Sequence, residues 1–343
     1  MASLRSVIKT TAPRLGLGRA RRFYSIPSAA KQDVRIVEVG PRDGLQNEKA
    51  SIIPVEVKVE LINRLARAGA MTIEAGSFVS PKWVPQMAGT AQVLQGIKKF
   101  PGVHYPVLVP NERGLDDLLQ LLDANPGLTD EIAVFTAASN GFARANLNCT
   151  VLESLVRLGG VVRRARERGL RVRGYVSVVV ECPYEGRTGY GRVREVVREL
   201  VDMGCYEVSL GETVGRGRPH QVAEMIEEVK KGVSVDLLAG HFHDTYGTGV
   251  ANVMTALQHG IRTIDSSVGG LGGCPYSPGA TGNVATEDVV YALQESPYHV
   301  VGSSSGNTID LEQICDIGWW ISEQLGRTSV SRVERAMRSR KSK

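Results

Sequence analysis

The chain has 343 residues, 42% of them hydrophobic and 22% charged, which is the composition of a globular protein. Its 38 glycines and 15 prolines fall short of the quarter or so of the chain that marks low complexity, and no apolar run approaches the roughly 18 residues of a membrane helix. The formal charge of +5 sits mainly at the ends, so it does not describe the body of the chain.

Residues 1–32 carry Arg5, Lys9, Arg14, Arg19, Arg21, Arg22 and Lys31 and no acid. An Arg-rich, acid-poor, Ser/Thr-containing start reads as a mitochondrial transit peptide, with a processing site expected near Arg21 to Ser25. The length allows one large domain or two ordinary ones. From residue 33 the chain repeats one rhythm: a short β-branched run, a polar or Gly-rich turn, then an amphipathic stretch. Strands are expected over 34–39, 71–75, 105–109, 131–136, 171–180, 206–210, 235–243 and 263–268. Helices are expected over 55–68, 151–168, 192–203 and 221–230, each followed by glycine as a left-handed stop. Eight alternations fit a single (β/α)8 TIM barrel, an α/β fold, better than two domains. A doubly wound sheet is the other arrangement, but no Gly-x-Gly-x-x-Gly follows the first strand. Residues 287–325 add C-terminal helix, including 311–325 with Trp319-Trp320, to cap the barrel or form an oligomer contact. Residues 326–343 read as a basic, solvated tail. Neither end shows the aromatic interleaving of a nucleic-acid binder.

In such a barrel the chemistry gathers at the C-terminal strand ends. There the sequence places Arg42 and Asp43 after the first strand, Glu74 on the second, Glu212 after the sixth and His241-Phe242-His243-Asp244 after the seventh. Two histidines two apart on a strand face the same way and can bind one ion. With Asp43 as a carboxylate ligand and no Cys pair nearby, the set suits Mg2+ or Mn2+, with zinc less favoured. A single carboxylate against a 2+ ion leaves positive charge for anionic substrate oxygens. Cys274 follows four glycines in a loop able to close over the mouth, which favours a catalytic thiol over an inert one. The other four cysteines read as packing residues, and the odd total of five with its wide scatter suggests a reducing compartment. Glu74 and Glu212 are either acid/base groups or partners that orient the histidines, and Arg42 either pairs with a carboxylate or stabilises an oxyanion.

These motifs resemble the 3-hydroxy-3-methylglutaryl-CoA lyase family. The likeness is carried by 37–49, 77–87, 174–177, 182–186, 243–247 and 270–276, and covers about 33–325. The Arg-Asp and His-x-His pieces are shared with related Claisen-type synthases, whereas the combination with the Gly-rich Cys loop is specific to the lyase. The resemblance implies a TIM-barrel enzyme that uses one divalent cation to cleave an acyl-CoA into acetyl-CoA and acetoacetate, in leucine catabolism and ketone-body formation in the mitochondrial matrix. It implies Asp43, His241, His243 and Asn283 as metal ligands and Arg42, Gln46 and Lys49 at the substrate. Cys274 would be the catalytic thiol, assisted by Glu74, Glu212 and His241, and a homodimer is expected, with no nucleic-acid or membrane partner. The general base is open among His241, Glu212 and a water. Glu212 departs from the family's usual Asp, a shift of about 1.5 Å in the carboxylate, and Asn140, Arg216 and Arg218 depart as well; the two arginines either recognise CoA phosphates or are solvated. An isopropylmalate- or homocitrate-synthase-like condensing enzyme and a non-enzymatic ligand- or RNA-binding descendant are the two other readings.

Overall fold

The computed structural model describes residues 31–48, 52–274, 277–303 and 308–341, and of 274, 277–281 and 341 the backbone only. The expected transit peptide, apart from its last two residues, therefore lies outside the described residues, as does Lys49.

Eight parallel strands form the ring: β1 (Gln32–Glu38), β2 in two pieces (Thr72–Ile73 and Gly76–Ser77), β3 (Val107–Leu108), β4 (Glu131–Ala137), β5 (Arg171–Ser177), β6 (Glu207–Glu212), β7 (Leu238–Phe242) and β8 (Thr263–Ser266). Each pairs with the next, and β1 pairs with both β8, Ile36 opposite Ile264, and β2, Val37 opposite Thr72, so the sheet closes on itself. The break in β2 does not open the barrel, because Glu74 N–H still donates to Glu38 O at 3.0 Å and Ala75 N–H to Pro106 O at 2.8 Å. A ninth strand, Tyr298–Val300, pairs in parallel with the start of β1.

Around the ring run α1 (Val55–Arg67), α2 (Thr90–Gly96), α3 (Glu112–Ala124), α4 (Asn140–Leu147), α5 (Val151–Glu167), α6 (Tyr190–Met203), α7 (Pro219–Lys230), α8 (Gly249–Gln258) and α9 (Thr286–Leu293), followed by α10 (Leu311–Gln324) and α11 (Arg332–Lys341). Apolar faces drive their docking: Leu61, Ile62 and Leu65 of α1 and Val193, Val196, Val197 and Leu200 of α6 are buried against the strands. The expected glycine stops hold at Gly69 and Gly204, both with positive φ, a conformation that costs a residue with a Cβ.

The expected strands are present with shifted ends, and three departures have a clear physical cause. The fifth strand ends at Ser177, not 180, because Val178 takes φ 57° and turns the chain into a small hairpin, Glu181–Cys182 with Gly186–Arg187. That conformation is costly for a β-branched residue. It is held by Val178 N–H donating to Thr213 Oγ1 and Thr188 Oγ1 donating to Val178 O. The seventh strand starts at Leu238, since Val235–Leu237 forms a 3-10 turn. Residues 326–343 are not simply a solvated tail. The Asp288 carboxylate accepts from Ser331 Oγ and from the Arg332 and Val333 amides, which caps the start of α11, and Val333 and Met337 pack on the core. Trp320, on α10, is stacked by the Arg64 guanidinium of α1 at 4.2 Å. The four described cysteine side chains, Cys149, Cys182, Cys205 and Cys315, are buried and unpaired, as packing residues should be.

Where α9, α10 and α11 meet, two carboxyls crowd one spot: a Cβ on Gly318 would collide with Glu287 Oε1 and lie 2.8 Å from Glu334 Oε2. Burial pushes both above the usual carboxylate range, and for Glu287 the neighbouring Glu334 adds to the rise. A raised folded value means that stability is fully present below the unfolded value and is lost as pH rises through the folded one. Thermal melts from mildly acid to alkaline pH should therefore show a falling Tm in the wild type and a shallower fall in Glu334→Gln; parallel curves would contradict the raised value of the Glu334 carboxyl.

Candidate active site

The site is built from the loops that follow β1, β7 and β8. After β1 the chain makes one π-helical turn, Gly40–Gly44, that carries Arg42 and Asp43. Glu38 dictates that turn: its buried carboxyl accepts from Gly40 N–H at 2.8 Å, Val268 N–H at 3.0 Å and Thr286 Oγ1 at 2.7 Å, joining the first loop to the last. Burial pushes this carboxyl up to about 7 against the pull of those donors. A side chain at position 40 would meet Glu38 Oε1 at 2.6 Å, so only glycine fits.

Arg42 is buried and aimed by two carboxylates. Its Nε and Nη2 reach Glu74 Oε2 at 2.7 and 2.6 Å, and its Nη1 reaches Asp43 Oδ1 at 2.8 Å. Burial alone would lower its pKa; Glu74 and Asp43 outweigh it and keep the guanidinium charged. Glu74 itself is fully buried, with its second oxygen accepting from Tyr175 Oη at 2.9 Å. Of the two roles open for Glu74, the geometry matches the orienting one, and the group it orients is Arg42 rather than a histidine.

Asp43 divides its oxygens. Oδ1 takes Arg42 and, at 2.6 Å, Gln46 Nε2; Oδ2 takes Asn283 Nδ2 at 2.8 Å and lies 3.9 Å from His241 Nε2. Burial would raise its pKa, but Arg42 and the two histidines hold it below the usual carboxylate value. His241, at the end of β7, turns Nδ1 to Asp265 Oδ2 at 3.2 Å. Burial would also raise Asp265, and Arg173 with His241 brings it down to about 2, so it stays an acceptor. His243 is buried, its ring 5.4 Å from that of His241, and burial followed by His241 drives it down to about 4. It is therefore neutral at physiological pH, and its Nδ1 has no hydrogen-bond partner.

Among the described residues, Asp43, His241 and His243 form the one group of three ligating side chains whose donor atoms all lie within 4.8 Å of one another. One carboxylate oxygen and two imidazole nitrogens suit a divalent ion, and a buried imidazole nitrogen without a partner is what such an ion would satisfy. Asn283 joins through its amide nitrogen, which also donates to Leu271 O at 3.2 Å; to act as a ligand it must present Oδ1 instead. Gln46 is brought to Asp43. The side chain of Cys274 lies outside the described residues; its backbone begins a short hairpin, Gly273–Cys274 with Ser277–Thr281, whose base packs on Asn283.

Glu212 is not brought to this cluster. It stands in register with Phe242, whose ring belongs to the apolar layer under the helices, while Gly211 pairs with His241 on the inward-facing side. Strand alternation thus turns its carboxyl outward. There it receives Arg216 N–H at 3.2 Å and the amides of Gly215 and Gly217, and burial pushes it up to about 8. The extra methylene relative to Asp is accommodated against Gly217, where a Cβ would lie 2.6 Å from Glu212 Cγ. Arg216 pairs with Glu181 at 2.7 Å, joining the loops after the neighbouring strands β5 and β6. Asn140 accepts Val151 N–H, a local structural bond. The residues that sequence reading missed are Asp265, Tyr175 and Arg173. The signal for the last was present: a charge in the middle of an apolar strand.

Fold and site together define a (β/α)8-barrel enzyme with a His-x-His and carboxylate cluster at the C-terminal mouth of the barrel. Residues 33–321 match the family model HMGL-like, and the chain belongs to that family. The mitochondrial hydroxymethylglutaryl-CoA lyase of Bos taurus is 48% identical over 336 residues, which are 98% of this chain and 99% of that protein. The crystal structure of hydroxymethylglutaryl-CoA lyase from Pseudomonas aeruginosa matches with a TM-score of 0.84 at 47% identity, covering 90% of this chain and 99% of its own. An HMG-CoA lyase from Acinetobacter baumannii, solved in complex with coenzyme A and 3-methylmalate, has a TM-score of 0.80 at 33% identity, covering 90% of this chain and 96% of its own.

The contrast between Gln46 and Glu212 is measurable by titrating Mn2+ calorimetrically. Gln46→Ala frees an oxygen of the Asp43 carboxylate and should weaken binding about tenfold. Glu212→Gln should leave it unchanged, and an equal loss in both variants would contradict the outward placement.

Proposed function

We propose that this chain cleaves 3-hydroxy-3-methylglutaryl-CoA to acetyl-CoA and acetoacetate with one bound Mg2+ or Mn2+. The observation that carries this reading is the arrangement of Asp43, His241 and His243 beside a buried, carboxylate-held Arg42 at the barrel mouth. It occurs in a chain nearly half identical to proteins named for that activity.

Asp43, His241 and His243 would hold the cation, with Asn283 contributing its amide oxygen. Bound there, a divalent ion supplies Lewis-acid polarisation of the substrate's tertiary hydroxyl and carboxylate oxygens. The reaction removes the hydroxyl proton, breaks the bond between the hydroxyl-bearing carbon and the carbon next to the thioester, and leaves an acetyl-CoA enolate that must gain a proton. Arg42 supports the enolate stage. Its three bonds to Glu74 and Asp43 leave further N–H donors for the thioester oxygen as negative charge develops there. Glu74 and Tyr175 keep that guanidinium from turning away. Cys274, on a glycine-flanked hairpin, is the proposed donor of the proton to the enolate carbon, and Lys49 with Gln46 is assigned to the substrate side of the first loop. His243 is held neutral by burial, so it meets a cation as a free lone pair rather than as a competing charge. The basic, acid-free residues 1–32 support import into the mitochondrial matrix, where the working protein is proposed to be a homodimer.

The test is acetoacetate release by the metal-loaded full-length chain. EDTA should abolish it and Mn2+ or Mg2+ restore it. Arg42→Gln should lower kcat by about 10²–10³-fold, as loss of an oxyanion donor does. Consumption of acetyl-CoA that depends on an added 2-oxoacid, without acetoacetate, would instead identify a condensing enzyme.

A further inference from the structure

We infer that Arg173 is a positioning residue that sets two catalytic arms at once, the metal-ligand arm ending at His241 and the oxyanion arm ending at Arg42. The inference rests on the proposed lyase reaction for its kinetic readout but not for its metal-binding readout.

Arg173 projects from the middle of β5 into the barrel and is 1% exposed. It spreads three donors over three partners: Nε to Glu207 Oε2 at 2.9 Å, Nη2 to Asp265 Oδ1 at 2.8 Å and Nη1 to Tyr175 Oη at 2.6 Å. Glu207 anchors the fork from below, its other oxygen accepting from Arg35 Nη2 at 2.6 Å and Thr263 Oγ1 at 2.8 Å. The two remaining branches climb toward the mouth.

A guanidinium can only donate, and this fixes the direction of every bond above it. The phenol oxygen of Tyr175 must accept from Arg173, so its single hydrogen is committed to Glu74 Oε1 at 2.9 Å. Glu74 is left as acceptor on both oxygens, which lets Oε2 hold Arg42 in a two-point grip. On the other branch Arg173 occupies Asp265 Oδ1 and Ser209 Oγ donates to Oδ2 at 2.7 Å. The same Oδ2 then accepts from His241 Nδ1, at 3.2 Å. That bond selects the tautomer with hydrogen on Nδ1 and directs the Nε2 lone pair toward Asp43. A buried ion pair that merely filled the barrel would not need this polarity. Lysine would keep the charge but lacks the planar fork that serves all three partners.

Three variants separate the arms, each measured for Mn2+ affinity by EPR titration and for kcat and KM of acetoacetate release. Tyr175→Phe deletes one hydroxyl and keeps the ring; it should lower kcat by about 10–100-fold, the cost of misplacing a catalytic group by an ångström or less, with Mn2+ affinity unchanged. Asp265→Asn should weaken Mn2+ binding by about 10–100-fold. Arg173→Lys should show both losses, and adding Tyr175→Phe to it should cost no more than about twofold further, because the branch is already released. A full Tyr175→Phe loss in both backgrounds would overturn the coupling. So would an Arg173→Lys protein with a lowered Tm but unchanged affinity and kcat. If Arg173→Lys does not fold, the first two variants decide: Tyr175→Phe shifting affinity as much as kcat, or neither, overturns the proposal. Wild type that binds Mn2+ without releasing acetoacetate would refute the lyase reading and leave the metal-ligand arm to be judged on affinity alone.

Discussion

The carboxylate of Asp43 joins parts of the chain that are far apart in sequence. One oxygen is held by neighbours in the first loop, Arg42 and Gln46, and the other faces Asn283 and His241, some two hundred residues on. That division is possible only because β1 pairs with β8, which sets the β1 loop beside the loops that follow β7 and β8. Barrel closure is therefore a condition for the site as well as for the core. A sheet left open between β1 and β8 would separate the carboxylate from the imidazoles. Glu38 reinforces the same seam one layer down, bonding Gly40 on one side and Val268 and Thr286 on the other.

The seam extends to the last helices. Arg327 pairs with Glu48 and Arg332 with Asp244 at 2.6 Å, so the chain leading into α11 and the helix's first residue touch the loops after β1 and β7. Val330 N–H also reaches Gly269 O, at the root of the hairpin that carries Cys274. These contacts tie the start of the C-terminal segment to the barrel through Arg327 and Arg332, while Arg335, Arg338 and Arg340 stay exposed as a basic end should. Charge counting along the sequence cannot see partners that only the fold brings near.

Strand alternation accounts for most of what was legible beforehand. His241 and His243 announce a shared face by their spacing, and Arg42 and Asp43 announce the mouth by following the first β-branched run. Eight strand–helix repeats were enough to expect the barrel, and the observed ring has the same eight strands at shifted ends. What stayed hidden were groups whose meaning depends on a neighbour in another strand. Asp265 looks like any polar residue near a strand end until β7 lies beside β8 with His241 in register. Its place at a strand end leaves Glu212 open to an acid/base or a histidine-orienting role, but a single step of alternation turns it outward onto the amides of 215–217. Position along a strand says which end a residue occupies; only register says which face.

Charge in the barrel interior gives the site its sign. Arg35, Arg173 and Arg42 stand against Glu207, Asp265, Glu74 and Asp43, all linked through the bonds described above, so the column is one unit short of positive charge. His243, kept neutral by burial, does not make up the difference. A divalent ion at the top of the column reverses the balance to one net positive charge, placed at the mouth where the low-dielectric walls do little to screen it. A substrate that brings one carboxylate beside a neutral thioester meets that surplus with opposite sign. Removing a carboxylate from the lower part of the column, as Glu207→Gln would, then cancels the negative surplus that favours the cation, although Glu207 touches none of the three residues that would hold it. On this charge count, metal affinity would be a property of the whole interior column, with Asp43, His241 and His243 at its upper end.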